Sequence, residues 1–90
     1  MAVNTERLFK LLNSRGVSGD ESEIRAAITE IVRPLCDDIT VDTMGNLFAH
    51  KKGSGKSNVR AMVCAHMDEV GLIVSWFRDD GLLEYRWIRS

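Results

Sequence analysis

Seven residues, Val59-Arg60-Ala61-Met62-Val63-Cys64-Ala65, run directly into His66-Met67-Asp68-Glu69-Val70-Gly71. Apart from Arg60, near its start, the run has no polar face to offer solvent. It reads as a central strand, apolar on both faces, of the kind found in sheets covered on both sides. A layered α/β arrangement, with helices packed on a sheet, accommodates such a strand. Side chains alternate along a strand, so His66 and Asp68 are expected on one face and Met67 on the other. That pairing has a definite chemical use. A carboxylate that takes the proton of one ring nitrogen fixes the tautomer and makes the other nitrogen a better metal ligand. The spacing alone equally describes a polar pair at a loop entrance, and only structural context separates the two.

The remaining elements fit that frame. Asn4 or Thr5 can cap a first helix bearing Leu8, Phe9, Leu11 and Leu12, which Gly16 ends. Gly16 to Gly19 form a loop. Ser18 and Glu21 have the spacing of a capping box for a second helix. Its apolar stripe is Ile24, Ala27, Ile28, Ile31, Val32 and Leu35, the pattern of a face packed on a sheet, and Pro34 sits at its end. Ile39 to Thr43 and Leu47 to His50 read as strands around a Met44-Gly45-Asn46 turn. After Gly71, Leu72 to Phe77 and Leu82 to Ile88 read as a hairpin turning at Asp79-Asp80-Gly81. Trp76 and Trp87, on opposite arms, are expected to pack across the strands.

Bulk properties close off several classes of function. The net charge of a 90-residue chain with 12 basic and 13 acidic side chains is −1. No electrostatic case exists for nucleic acid or an anionic membrane surface. The length allows one small domain at most, and no apolar stretch approaches a membrane span. The start of the chain has no basic segment followed by an apolar run, so no signal peptide is expected. Cys36 and Cys64 make neither a metal spacing nor a disulfide framework, which points to a reducing cytoplasm. Cys64 reads as a small core residue and Cys36 as an inert thiol. Gly53-Ser54-Gly55-Lys56-Ser57 is not a phosphate loop. His50 stands where its first glycine belongs, and a strand rather than a helix follows. The acidic pairs Asp37-Asp38 and Asp79-Asp80 read as turns, with nothing to join them as a glycosidase dyad.

Three motifs, in order along the chain, carry a resemblance. Ala65-His66-Met67-Asp68-Glu69-Val70-Gly71 resembles the first metal-site motif of the tetrahedral, or glutamyl-type, aminopeptidases, which are two-metal exopeptidases. Gly16-Val17-Ser18-Gly19-Asp20-Glu21 resembles that family's early loop, and Asp42-Thr43-Met44-Gly45-Asn46-Leu47 its first strand turn. The resemblance covers nearly all of this chain but only the beginning of the family's full length. It implies an α/β fold with helices on a mixed sheet, residues 1–70 opening a zinc-peptidase-like catalytic domain and residues 71–90 starting an inserted β-domain. It also implies hydrolysis of amino-terminal residues from peptides, with two divalent metal ions, zinc or cobalt, activating water. His66 matches the first metal-ligating histidine. Asp68 matches the aspartate that braces it and is counted as catalytic. Glu69 and Gly71 match the continuation of the motif, and Glu69 is not the general base. Homo-oligomeric assembly is implied for the intact enzyme.

The later ligands of that family have no counterpart here. One histidine cannot hold a catalytic zinc, which takes about three protein ligands. The 90 residues are therefore expected to be the front end of such an enzyme and inactive alone. The alternative is a non-catalytic α/β interaction module derived from it, docking through a sheet edge. A third reading is another co-catalytic hydrolase, a deacylase or carboxypeptidase, against which the Gly16–Glu21 loop and the Glu69-Val70-Gly71 continuation argue. In either of the first two cases the central strand lacks partners, leaving apolar surface and an unpaired edge. Self-association of the isolated chain in sedimentation experiments is the expected result. A chain that stays monomeric and unfolds cooperatively at high concentration would contradict it.

Overall fold

Asn4 starts the first helix. In the computed structural model, which describes residues 2–88, Asn4 Oδ1 accepts a hydrogen bond from the Arg7 amide at 3.0 Å, and α1 runs Thr5–Leu12. The side-chain oxygen satisfies one of the amides that a helix start leaves without a partner. The second helix, α2, spans Ser22–Val32 and passes into a 3-10 turn, Arg33–Leu35, around Pro34. Lys10 of α1 and Glu30 of α2 are joined at 2.8 Å. Ile24 and Ala27, on the inward side of α2, are the buried apolar residues, 5% and 8% exposed.

The capping box expected at Ser18 and Glu21 is not formed. Helix α2 starts later than the box requires, with Glu21 itself in the capping position and no side-chain cap bond. The serine hydroxyl instead donates to the Asp68 carboxylate. Glu21 Oε1 accepts from the Gly19 amide at 3.0 Å, holding the loop rather than the helix end. Local spacing permitted the box, but a carboxylate is the stronger acceptor.

Four strands follow, in two antiparallel pairs: β1, Asp38–Val41, with β2, Leu47–His50, and β3, Gly71–Phe77, with β4, Leu83–Ile88. Both hairpins turn through the same device, a three-residue loop whose last residue is glycine in the left-handed region. Gly45 has φ +86° and Gly81 φ +87°. In the first loop Asp42 organises the chain. Its Oδ1 accepts from the Met44 and Asn46 amides at 3.0 and 2.8 Å, and its Oδ2 accepts from Asn46 Nδ2 at 2.9 Å. Arg25 of α2 donates through Nε to the Gly45 carbonyl at 2.9 Å, tying this hairpin to the helix.

The second hairpin corrects one expectation. Its register sets Trp76 opposite Glu84 and Trp87 opposite Leu72, with a bulge between Val74 and Trp76. The tryptophans therefore do not pack on each other across the strands. Trp87 meets Tyr85 edge-on within β4, with ring centroids 6.5 Å apart.

The Val59–Ala65 segment departs further from expectation. Among the described residues it joins no ladder, since β2 and β3 pair with other partners. Val59, Met62 and Val63 are open to solvent, Val63 at 95%. Cys64, expected in the core, is exposed too. A strand is held by the bonds of its neighbours, and apolar composition alone supplies none. The accessible area is 8235 Å², against about 5,300 Å² for a compact protein of this mass. The radius of gyration is 17.8 Å, against about 12 Å for a compact domain of this length.

One long-range junction holds the loop before α2 to the residues after Ala65. The Glu69 amide donates to the Gly16 carbonyl at 2.7 Å, and Val17 and Glu69 form a parallel bridge. Two glycines make the approach possible. A Cβ on Gly16 would run into Ile24 Cγ2, and one on Gly71 into Val17 Cγ1.

Two outcomes are expected. Gly71→Ala should push Val17 off the junction at a cost of about 1–3 kcal/mol. It should release the Glu69 amide to hydrogen exchange, and adding Val17→Ala should restore most of the protection. The second outcome concerns acid. Hydrogen bonds from the Asn46 side chain and backbone, with smaller ones from Met44 and Gly45, hold the Asp42 carboxyl below its usual 3.8. A depressed folded value stabilises the turn fully above the ordinary value, and this is lost as pH falls through the folded one. The Asn46 amide shift should follow that transition, and in Asp42→Asn it should not.

Candidate functional site

His66 and Asp68 come together as the spacing suggested, but alternation along a paired strand is not what holds them. The imidazole Nδ1 lies 3.0 Å from Asp68 Oδ1 and 3.0 Å from the Asp68 main-chain carbonyl. Both are acceptors, so Nδ1 carries the proton. In the neutral ring, Nε2 then has the free lone pair. The exposure of the two side chains divides the pair: His66 is 81% exposed and Asp68 11%. The carboxylate is the anchored member and the imidazole the presented one.

The anchor comes from the early loop. Ser18 Oγ donates to Asp68 Oδ2, so the two carboxylate oxygens face different partners, Ser18 and His66. Beside Ser18, the Gly19 amide is held by Glu21 Oε1 and the Asp20 amide donates to the Val17 carbonyl at 2.9 Å. Gly19, at φ +86°, supplies the left-handed backbone of this turn. Sequence reasoning singled out the Gly16–Glu21 loop but gave Ser18 a different task, as a helix cap. The tie to Asp68 spans 50 residues, and no local pattern encodes it.

His66, Met67, Asp68 and Glu69 border a depression of about 210 Å³ floored by Leu11, Leu12, Ile24 and Ile28. A larger concavity lies along α2, lined by Arg25, Thr29 and Arg33 among others. It holds no histidine and does not reach Asp68, so the smaller depression is the chemically relevant one. Glu69 enters the site through its main chain, bonded to Gly16. His50 is exposed on β2 and takes no part.

The fit to a metal centre is partial. Among the described residues no three His, Cys, Asp or Glu side chains group closely enough to hold an ion. His66 offers one nitrogen, and Asp68 is turned to His66 and Ser18. A catalytic zinc takes about three protein ligands and an open position. These residues can orient a ligand histidine, but among the described residues they do not complete a metal site.

Comparison with known proteins adds a family to this geometry. The model of the M42 glutamyl aminopeptidase family matches residues 45–88, from the first hairpin loop through His66 and Asp68 to the end of β4. A relative from Acetivibrio thermocellus, named as an aminopeptidase, is 53% identical over 87 residues, which is 92% of this chain and 26% of the relative. The TET aminopeptidase of the marine-sediment archaeon Thaumarchaeota archaeon SCGC AB-539-E09 superposes with a TM-score of 0.81 at 32% identity, over 93% of this chain and 23% of that one. A Thermotoga maritima structure described as an endoglucanase superposes with a TM-score of 0.77 at 38% identity, over 90% of this chain and 26% of that one. The chain thus spans about a quarter of the length of the curated relatives it matches. Sequence identity, superposition and the family match all run through the segment that presents His66 on Asp68, and over that segment the chain is similar to the M42 glutamyl aminopeptidases.

Proposed function

We propose that this chain supplies the first metal-ligating histidine, His66, and its bracing aspartate, Asp68, to a metal-dependent aminopeptidase that removes amino-terminal residues from peptides. The observation that carries the reading is the exposed imidazole with Nδ1 held on a largely enclosed carboxylate and Nε2 left open. Such a brace is the usual second layer of a metal-binding histidine. Two divalent ions, zinc or cobalt, would supply hydroxide near neutral pH and polarise the scissile carbonyl. The remaining ligands lie outside the described residues, so the 90-residue chain alone is inactive in this reading. The residues from Gly71 onward, the β3–β4 hairpin, open an inserted β-domain. The working enzyme is a homo-oligomer. Two unpaired cysteines suit a reducing cytoplasm.

The endoglucanase name of one structural neighbour belongs to that protein. Glycoside hydrolysis calls for two carboxyl groups facing each other across the bond to be cut. Beside His66 the carboxylate is engaged with the imidazole and Ser18, an arrangement suited to holding a ligand histidine.

The intact mass of the protein from its source cells sets the terms of the test. A mass several times 10.1 kDa identifies the form to assay. In that form His66→Ala should abolish peptide hydrolysis, and Asp68→Asn should lower metal affinity about 10–100-fold. The 90-residue chain should show neither hydrolysis nor tight zinc binding. Full hydrolysis by His66→Ala would sink the reading. A native mass near 10.1 kDa would turn attention to a non-catalytic module.

A further inference from the structure

We propose that Ser18 is a positioning residue for His66: its hydroxyl fixes the Asp68 carboxylate so that the imidazole keeps its proton on Nδ1 and presents Nε2. The inference deepens the reading of His66 as a metal ligand and rests on it for its functional meaning.

Ser18 has no local duty that would account for it. Helix α2 begins at Ser22 with Glu21 before it, so the hydroxyl caps nothing. Its partner is 50 residues away. The backbone on both sides of Ser18 is held, on one side by the bridge from Val17 to Glu69, on the other by the Gly19 amide on Glu21. The same junction that brings Asp68 to the loop therefore also holds the backbone that carries the hydroxyl. An O–H donor to a carboxylate is among the stronger hydrogen bonds a side chain makes.

The geometry gives this bond a directional effect. A carboxylate is free to rotate about its own side-chain torsions, and with Oδ2 held by Ser18 the other oxygen, Oδ1, faces His66 at 3.0 Å. The Asp68 main-chain carbonyl, also 3.0 Å from Nδ1, reinforces the same protonation site. The chain of contacts runs serine to carboxylate to imidazole, and only the last member is strongly exposed. Ser18 touches neither substrate nor metal in this scheme. It acts through Asp68.

The test is the tautomer of the His66 ring in the 90-residue chain, read from ring 15N shifts above pH 8, with His50 as internal reference. In the wild type His66 should be mainly in the Nδ1–H form and distinct from His50. Ser18→Ala should shift the ratio of the two forms toward Nε2–H by at least about threefold, while the Glu69 amide stays protected from exchange. Ser18→Thr, which keeps the hydroxyl, should retain the wild-type pattern. A wild-type His66 with the same tautomer mixture as His50 would overturn the proposal, as would an unchanged ratio in Ser18→Ala. Loss of Glu69 protection together with the Nδ1–H form in Ser18→Ala would make the serine merely structural, and loss of the pattern in Ser18→Thr would also refute it. None of these readouts involves a metal or hydrolysis, so an active His66→Ala enzyme would defeat the functional reading without touching this result.

Discussion

The Glu69 amide on the Gly16 carbonyl is the contact on which the rest of the site depends. It sets the early loop against the residues that follow Ala65, and the other contacts at the site sit around it. Val17 packs where Gly71 has no side chain, Gly16 lies against Ile24, and Ser18 reaches Asp68. The two glycines are needed for closeness of approach rather than for unusual torsions. With these in place, His66 is presented by a small junction, although among the described residues the segment 59–65 leading to it pairs with no strand. Placement of the site thus comes here from a backbone bond and steric fit, where a central strand would ordinarily provide it from a sheet.

The apolar strand itself tells a complementary story. Val59, Met62 and Val63 carry the composition of a sheet centre and the exposure of a surface. Composition fixes what a segment needs, and neighbours decide whether it gets it. The second hairpin repeats the point, with Leu72, Ile73, Trp76 and Phe77 on one arm and Leu83, Tyr85 and Trp87 on the other all substantially open. Burial on the scale these residues call for lies beyond what two short helices can cover.

Much of the layout could be read from local patterns. The Asn4 cap, the Ile24–Ala27 face, the turns at Gly45 and Gly81 and the β1–β2 pairing are set within a few residues, where spacing and turn chemistry decide. The His66–Asp68 pairing was legible for the same reason, with only Met67 between them. What could not be read was long-range. The capping box failed because Asp68, 50 residues on, competed for Ser18. The tryptophan pairing failed because register places Trp76 opposite Glu84, and the strand 59–65 failed because its ladder bonds are not encoded in itself. Cys64 followed the strand out to solvent.

The 50-residue span of the Ser18–Asp68 tie also has a meaning in time. Helices and hairpins close over short loops and form within microseconds, whereas contacts distant in sequence must first overcome the entropy of a long loop. On a growing chain, Gly16 to Glu21 are made well before His66 and Asp68 exist. The residues that receive the aspartate are therefore made before the aspartate itself. The order of synthesis runs from support to ligand, and the junction between them can close only once Glu69, just after the pair, has been added.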